Sequence, residues 1–324
     1  MSIRTVIAVA ALVAVTIPAA AQDWPARPVT MVVPFAAGGS FDVMGRIFTP
    51  RMSEFLHQQV IVENVGAAAG IVGVSRVAKA APDGYQFLLA SVGTHAYNAT
   101  LYKRLPYNPV TDFAPVALFA EQPMVLVTRP DFPANSLQEF IAYVKANAAK
   151  LQYGSAGVGS TTHLSCALLN AAAGVDVTHV PYRGGGPAMQ DLIAGQLHYV
   201  CLNFAGAFTQ IAGKTLKGIA LLGNERSPLL PALATAHEQG LANVEALTWN
   251  AFFLPKGTPA PIVKKLNDAV ADAMDNAAVK ERMHDLGVTL VAPERRTPDY
   301  LRKFVADEVA KWAGPIKAAG VKAD

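Results

Sequence analysis

Two short runs of glycine and hydroxyl residues carry the strongest chemical signal in this 324-residue chain. The first is Pro34-Phe35-Ala36-Ala37-Gly38-Gly39-Ser40-Phe41-Asp42, entered from a β-branched run that ends at Val33. Beyond it Val43, Ile47, Phe48 and Phe55 fall near helical spacing. Strand, glycine turn and helix in that order leave unpaired backbone N–H groups at a helix N-terminus, where anions bind. Gly38 and Gly39 let a ligand oxygen approach the backbone closely, and Ser40 and Asp42 are both N-cap types. Alone, a Gly-Gly pair is more often a plain turn than a site. The second run, Gly154-Ser155-Ala156-Gly157-Val158-Gly159-Ser160-Thr161, also joins an extended stretch to a helix, expected over 162–173. Ser155, Ser160, Thr161 and Thr162 add four hydroxyls to the free N–H groups around Gly157. Neither loop has Lys or Arg at its centre, so the chemistry on offer is an anion held by neutral donors.

Enzymatic readings lack their residues. No Gly-x-Gly-x-x-Gly follows a strand with an acidic residue ~20 positions on, and no P-loop Gly-Lys-Ser/Thr occurs. Tyr153 stands two residues before Ser155, where a nucleophile elbow needs Gly. His163, His179 and His198 lie on different elements without metal spacing, and His163, in a helix's first turn, reads as a structural hydrogen-bonder. No metal or cofactor is expected.

The elements that must position the two loops alternate strand and helix. Residues 60–63 and 86–90 read as strands after the first unit, with a Gly/Ala-rich turn (66–70) and a helix to about 80 between them. A polar loop, Ser91-Val92-Gly93-Thr94-His95, closes the third strand. This order argues a parallel, doubly wound sheet whose ligands bind beyond the carboxyl ends of the strands, which adds Ser91 and Thr94 to the candidates. A Pro-rich connector (106–115) and two strands (116–119 and 124–128) flanking Gln122-Pro123 make a first crossing into a second α/β unit. That unit holds strands near 177–180, 198–202 and 216–222, with Asn203 and Phe204 at one strand end. The apolar run 246–254 is the crossing back, and helices follow to about 319. The expected division is residues 22–122 with 249–324 as lobe 1, and 123–248 as lobe 2.

At the amino terminus Arg4 precedes an apolar run (6–17) and Pro18-Ala19-Ala20-Ala21. This reads as a signal peptide over 1–21, cut before Gln22, and so as an exported protein. Removing it leaves 26 Lys and Arg against 24 Asp and Glu. That balance gives no electrostatic footprint for nucleic acid or a polybasic membrane patch. The only cysteines, Cys166 and Cys201, fall in expected core elements. Export permits a disulfide, but two buried thiols is the favoured reading.

Two α/β lobes joined by two crossings, each lobe with a Gly/Ser loop at its sheet edge, define a cleft that a hinge can close. The ordered set Trp24-Pro25-Ala26-Arg27-Pro28-Val29, the 34–42 loop, Ala80-Ala81-Pro82-Asp83-Gly84-Tyr85, Leu105-Pro106-Tyr107, Tyr153-Gly154-Ser155-Ala156-Gly157, Thr161-Thr162-His163-Leu164, His179-Val180-Pro181-Tyr182 and Arg226-Ser227-Pro228 spans nearly the whole mature chain. It resembles the substrate-binding proteins of tripartite tricarboxylate transporters, the Bug family of periplasmic receptors. The resemblance implies a two-lobed, type II periplasmic binding protein. It also implies a small di- or tricarboxylate held by both loops, membrane permease subunits as partners, and a monomer. A receptor for a membrane signalling sensor is the alternative. Departures from the family pattern fall at Ala37, at the bulky Phe41, and at Asn203 where an acidic residue is common. Phe35, Phe41 and Phe204 lie on or beside loops expected to face the cleft. They could flank an aromatic or longer-chain dicarboxylate, or else be lobe core.

Overall fold

In the computed structural model residues 24–241 and 244–321 are described; the leader expected over 1–21 lies outside them. The β-branched run Val29–Val33 forms β1, and the glycine turn delivers the chain into α1 (Ser40–Leu56). β2 (Val60–Asn64), α2 (Ile71–Ala78) and β3 (Gln86–Ser91) follow. β1 pairs in parallel with both β2 and β3, the doubly wound arrangement that the alternating pattern predicts.

Two expectations about the connections need correction. Residues 91–95 are not a loop: Ser91 ends β3, and a wide helical turn, Gly93–Tyr97, runs into the short α3 (Asn98–Leu101). The cause is Thr94, whose Oγ1 accepts from the Ser91 N–H and lies equally close, at 3.1 Å, to the Ser91 carbonyl. Such a local side-chain bond curls the backbone into a turn. Nor do 116–119 and 124–128 form two strands. β4 is one strand of 16 residues, Phe113–Thr128, that passes straight through Gln122-Pro123. Proline is tolerated there because the strand changes partners: Pro123 is the last residue paired with the returning strand, and Met124 the first paired with the second sheet.

α4 (Leu137–Asn147) is capped by Ser136, whose side chain accepts from the Glu139 N–H. β5 (Gln152–Ser155), α5 (Thr161–Ala173), β6 (Thr178–Pro181), α6 (Gly185–Ile193), β7 (Tyr199–Asn203), α7 (Phe204–Ala212) and β8 (Lys217–Leu221) complete the second sheet and its helices. β5 is parallel to β6 and β7, while β4 runs antiparallel to β7 and β8. β9 (Leu247–Pro255) returns between β3 and β4, antiparallel to both. α8 (Ala260–Asp275), α9 (Ala277–Asp285), β10 (Thr289–Leu290) and α10 (Pro298–Ala318) finish the chain against the first sheet. Arg51 of α1 clamps Asp272 of α8 with two hydrogen bonds of 2.5 and 2.9 Å.

A core of interlocked rings fills the first lobe, with Phe119 stacked on Phe252 at 4.5 Å and Phe48 against both. Two smaller clusters cover the faces of the second sheet. Cys166 and Cys201 are not free thiols: α5 lies on β7 with their Cα atoms 5.4 Å apart, and the sulfurs are bonded. Both residues are fully buried, so burial, correctly expected, could not distinguish thiol from disulfide. Among the described residues no helix is long and apolar enough to cross a membrane.

Candidate functional site

The two glycine loops meet. Phe35, Gly39, Ser40 and Phe41 from one lobe face Ala156, Ser160, Thr161, Thr162, Gly185 and Asn203 from the other, around room of about 20 Å³. Four helices begin at this point: α1 after Gly39, α5 after Ser160, α6 after Gly184 and α7 after Asn203. Only α5 has a side-chain cap, in which Ser160 Oγ accepts from the His163 N–H at 3.2 Å. The N-cap residues of the other three make no side-chain cap, although in α7 Gln122 Oε1 accepts from the Ala205 N–H at 2.9 Å. No Lys or Arg lines the space. Four positive dipole ends and no formal cation make a site for an anion bound by neutral donors.

Two side chains in this wall have buried polar atoms without a protein partner, Thr161 Oγ1 and Asn203 Nδ2. A buried polar group is normally satisfied, so both are poised for a ligand's oxygens. Ser91 Oγ, on the adjoining strand end, is also unpartnered. Two buried residues of the crossing strand that the sequence did not mark also have unpartnered polar atoms, although neither lines the space: Asn250, in register with Ser91, has neither amide atom satisfied, and Thr248 Oγ1 two residues earlier is likewise alone. Both sit in an otherwise apolar run with no glycine or hydroxyl cluster to mark them. A polar residue inside a crossing strand was the available signal.

Other candidates support the site without facing it. Asp42 turns back to its own loop, accepting from the Gly38 N–H and from Arg46 Nε, each at 3.0 Å. Burial pushes its carboxyl pKa up, but hydrogen bonds from Arg46, Gly38 and Asn64 outweigh that and hold it below the usual value. Gly38 adopts φ +80°, a region that favours glycine. Ala37 and Gly38 are exposed outside the space. Thr94 is occupied with Ser91. Ser155 Oγ bonds His179 Nε2 at 2.6 Å and accepts from the Gly157 N–H at 3.0 Å, so both residues shape the second loop. His163 Nδ1 accepts from the Gly159 N–H, the structural role that its position predicts. With ring centroids 4.2 Å apart, His163 and His179 are driven by burial to pKa values of about 3 and about 4, with mutual repulsion adding to the first. Both rings are neutral.

Of the three aromatic candidates, Phe35 and Phe41 line the space with ring centroids 4.7 Å apart. Phe204 does not: it is fully buried beside Phe208, with the backbone of Gly287 against its ring. Larger grooves lie elsewhere, one of about 440 Å³ between residues 223–229 and 284–289 and one of about 650 Å³ along α10. Neither gathers helix N-termini.

Residues 44–321 match the family described as "Tripartite tricarboxylate transporter family receptor". The protein BugT of Bordetella pertussis is 36% identical over 306 residues, covering 94% of this chain and 93% of BugT. The structure of the periplasmic binding protein BugD superposes with a TM-score of 0.90 at 38% identity, covering 92% of this chain and 99% of that one. MatC from Rhodopseudomonas palustris, solved with bound malate, gives 0.88 at 40% identity, covering 90% and 100%. The architecture is accordingly that of a two-lobed periplasmic binding protein. Both the match along most of its length and the paired loops at its cleft lead to one conclusion: this chain belongs to the tripartite tricarboxylate transporter receptor family, a family of solute-binding proteins and not of enzymes.

Proposed function

We propose that the protein captures a small dicarboxylate between its lobes and delivers it to the membrane permease of a tripartite tricarboxylate-type transporter, after export through a leader over residues 1–21. The observation that carries this reading is the convergence of four helix N-termini on one buried space with no cation in its wall. One carboxylate would take the N–H groups of α1 and the other the donors of α5 and Asn203, while Phe35 and Phe41 give the carbon chain an apolar wall. The malate held by MatC has this chemistry.

Room of about 20 Å³ is roughly that of one water. A dicarboxylate therefore enters by the lobes parting, with β4 and β9 as the crossing strands and 22–122 with 249–324 moving against 123–248. Native mass spectrometry of protein purified without added ligand is the test. The expected result is retention of a di- or tricarboxylic acid at one per chain. Retention of a cationic or uncharged solute would overturn the reading.

A further inference from the structure

Gly93 and Gly184 are two of several glycines at which a Cβ would meet the opposite lobe, and in both the nearest atom there is backbone. A Cβ on Gly93, at the head of the helical turn after β3, would lie 2.9 Å from Thr161 N, 3.1 Å from Thr161 Oγ1 and 3.4 Å from the Gly159 carbonyl. All three atoms belong to the opposite lobe. A Cβ on Gly184, just before α6, would lie 3.0 Å from Ala36 N and 3.1 Å from Ala36 Cβ, again across the seam. Neither glycine is required by its own backbone. Gly184 has φ 170°, extended and open to any residue, and Gly93 lies outside the left-handed region. Hydrogen bonds cross the same seam: the Ala36 N–H donates to the Arg183 carbonyl at 3.2 Å, and the Tyr102 hydroxyl to the Val158 carbonyl at 2.6 Å.

From these contacts we infer that Gly93 and Gly184 are positioning residues that set how far the lobes close, by letting each approach the backbone of the opposite lobe where a Cβ would not fit. This rests on the reading of a receptor that closes around its ligand. The atom nearest each missing Cβ is a backbone nitrogen, and Thr161 N is fixed in the first turn of α5. A methyl at 2.9–3.0 Å is therefore relieved by the lobes moving apart and not by a side chain swinging away. Parting draws Thr161 from the first lobe and stretches both cross-seam hydrogen bonds, so closure and capture weaken together.

The test is small-angle scattering of the wild type, Gly93→Ala, Gly184→Ala and Tyr102→Phe, each without ligand and with saturating L-malate, alongside urea unfolding of every variant. Gly314→Ala is the control, since a Cβ there meets nothing. A compact chain of this length has a radius of gyration of about 20 Å. The seam variants are expected to exceed the wild type and the control in at least one of the two conditions, with an unchanged urea midpoint. Tyr102→Phe, which keeps its ring and loses only the cross-seam hydroxyl, is expected to shift the same way even if a glycine variant fails to fold. Folded seam variants that match the wild type in both conditions would overturn the inference. Failure of malate to compact the wild type would count against the dicarboxylate reading instead, and the ligand-free comparison would still judge the seam.

Discussion

Thr161→Val separates binding from folding. The hydroxyl of Thr161 is buried, lines the interlobe space and has no partner within the protein. Replacing it by a methyl of the same shape removes no structural hydrogen bond, so stability should hold or rise by up to about 1 kcal/mol. Affinity should fall, because a hydrogen bond to a charged group contributes ~1.5–3 kcal/mol, equivalent to roughly tenfold to 150-fold in Kd. Its neighbour behaves in the opposite sense. Ser160 Oγ caps α5 through the His163 N–H and bonds Thr162 Oγ1 at 3.0 Å. Ser160→Ala should therefore cost about 1 kcal/mol of stability. The assays are calorimetric titration with L-malate and urea unfolding, run on both variants beside the wild type. A Thr161→Val protein that binds as tightly as the wild type would refute the assignment of this hydroxyl to the ligand, whatever its stability.

Two further outcomes concern stability. Removing the Cys166–Cys201 bond as a double alanine variant should lower the unfolding free energy by about 4 kcal/mol, the loop-closure value for a separation of 35 residues; an unchanged urea midpoint would contradict it. His95, His163 and His179 are held neutral chiefly by burial, with folded pKa values of about 3, about 3 and about 4 against 6.5 unfolded. The unfolded chain thus binds more protons below pH 6.5. Their contribution is complete above that pH and is lost as pH falls toward the folded values, at up to ~1.4 kcal/mol per pH unit for each histidine. The urea midpoint should decline between pH 6.5 and 5, above the carboxylate range, and His163→Phe should flatten the slope; a level midpoint in the wild type would argue against buried neutral imidazoles.

How far the sequence could be read depended on whether a feature was local. Val29–Val33, the Gly38-Gly39 turn and the amphipathic segment after it specify strand, turn and helix from neighbours alone, and β1–α1 follows. The Gly154–Thr161 run is similar, and its Ser160 cap is a side chain three residues from its partner. What was missed depends on partners distant in the chain. Pro123 reads as a strand breaker until β9 and β7 are seen to exchange on either side of it. Asn250 looks like one polar residue in an apolar strand until pairing sets it opposite Ser91. Cys166 and Cys201 needed the packing of α5 on β7. Phe204 adjoins a cleft residue in sequence, yet the start of α7 turns its ring into the core.

Calorimetric titration of the wild-type protein with L-malate, succinate, adipate, citrate and, as an uncharged comparison, malate dimethyl ester asks whether the cleft selects a small carboxylate. One site per chain is expected for at least one of the free dicarboxylates. No binding of the ester is expected, because four helix N-termini and neutral donors select for carboxylate charge. Because no Lys or Arg lines the space, that affinity should change little when sodium chloride is raised several-fold. Binding of the ester as tightly as the acid, or no heat from any of the four acids, would contradict the claim that this cleft is built for a small carboxylate.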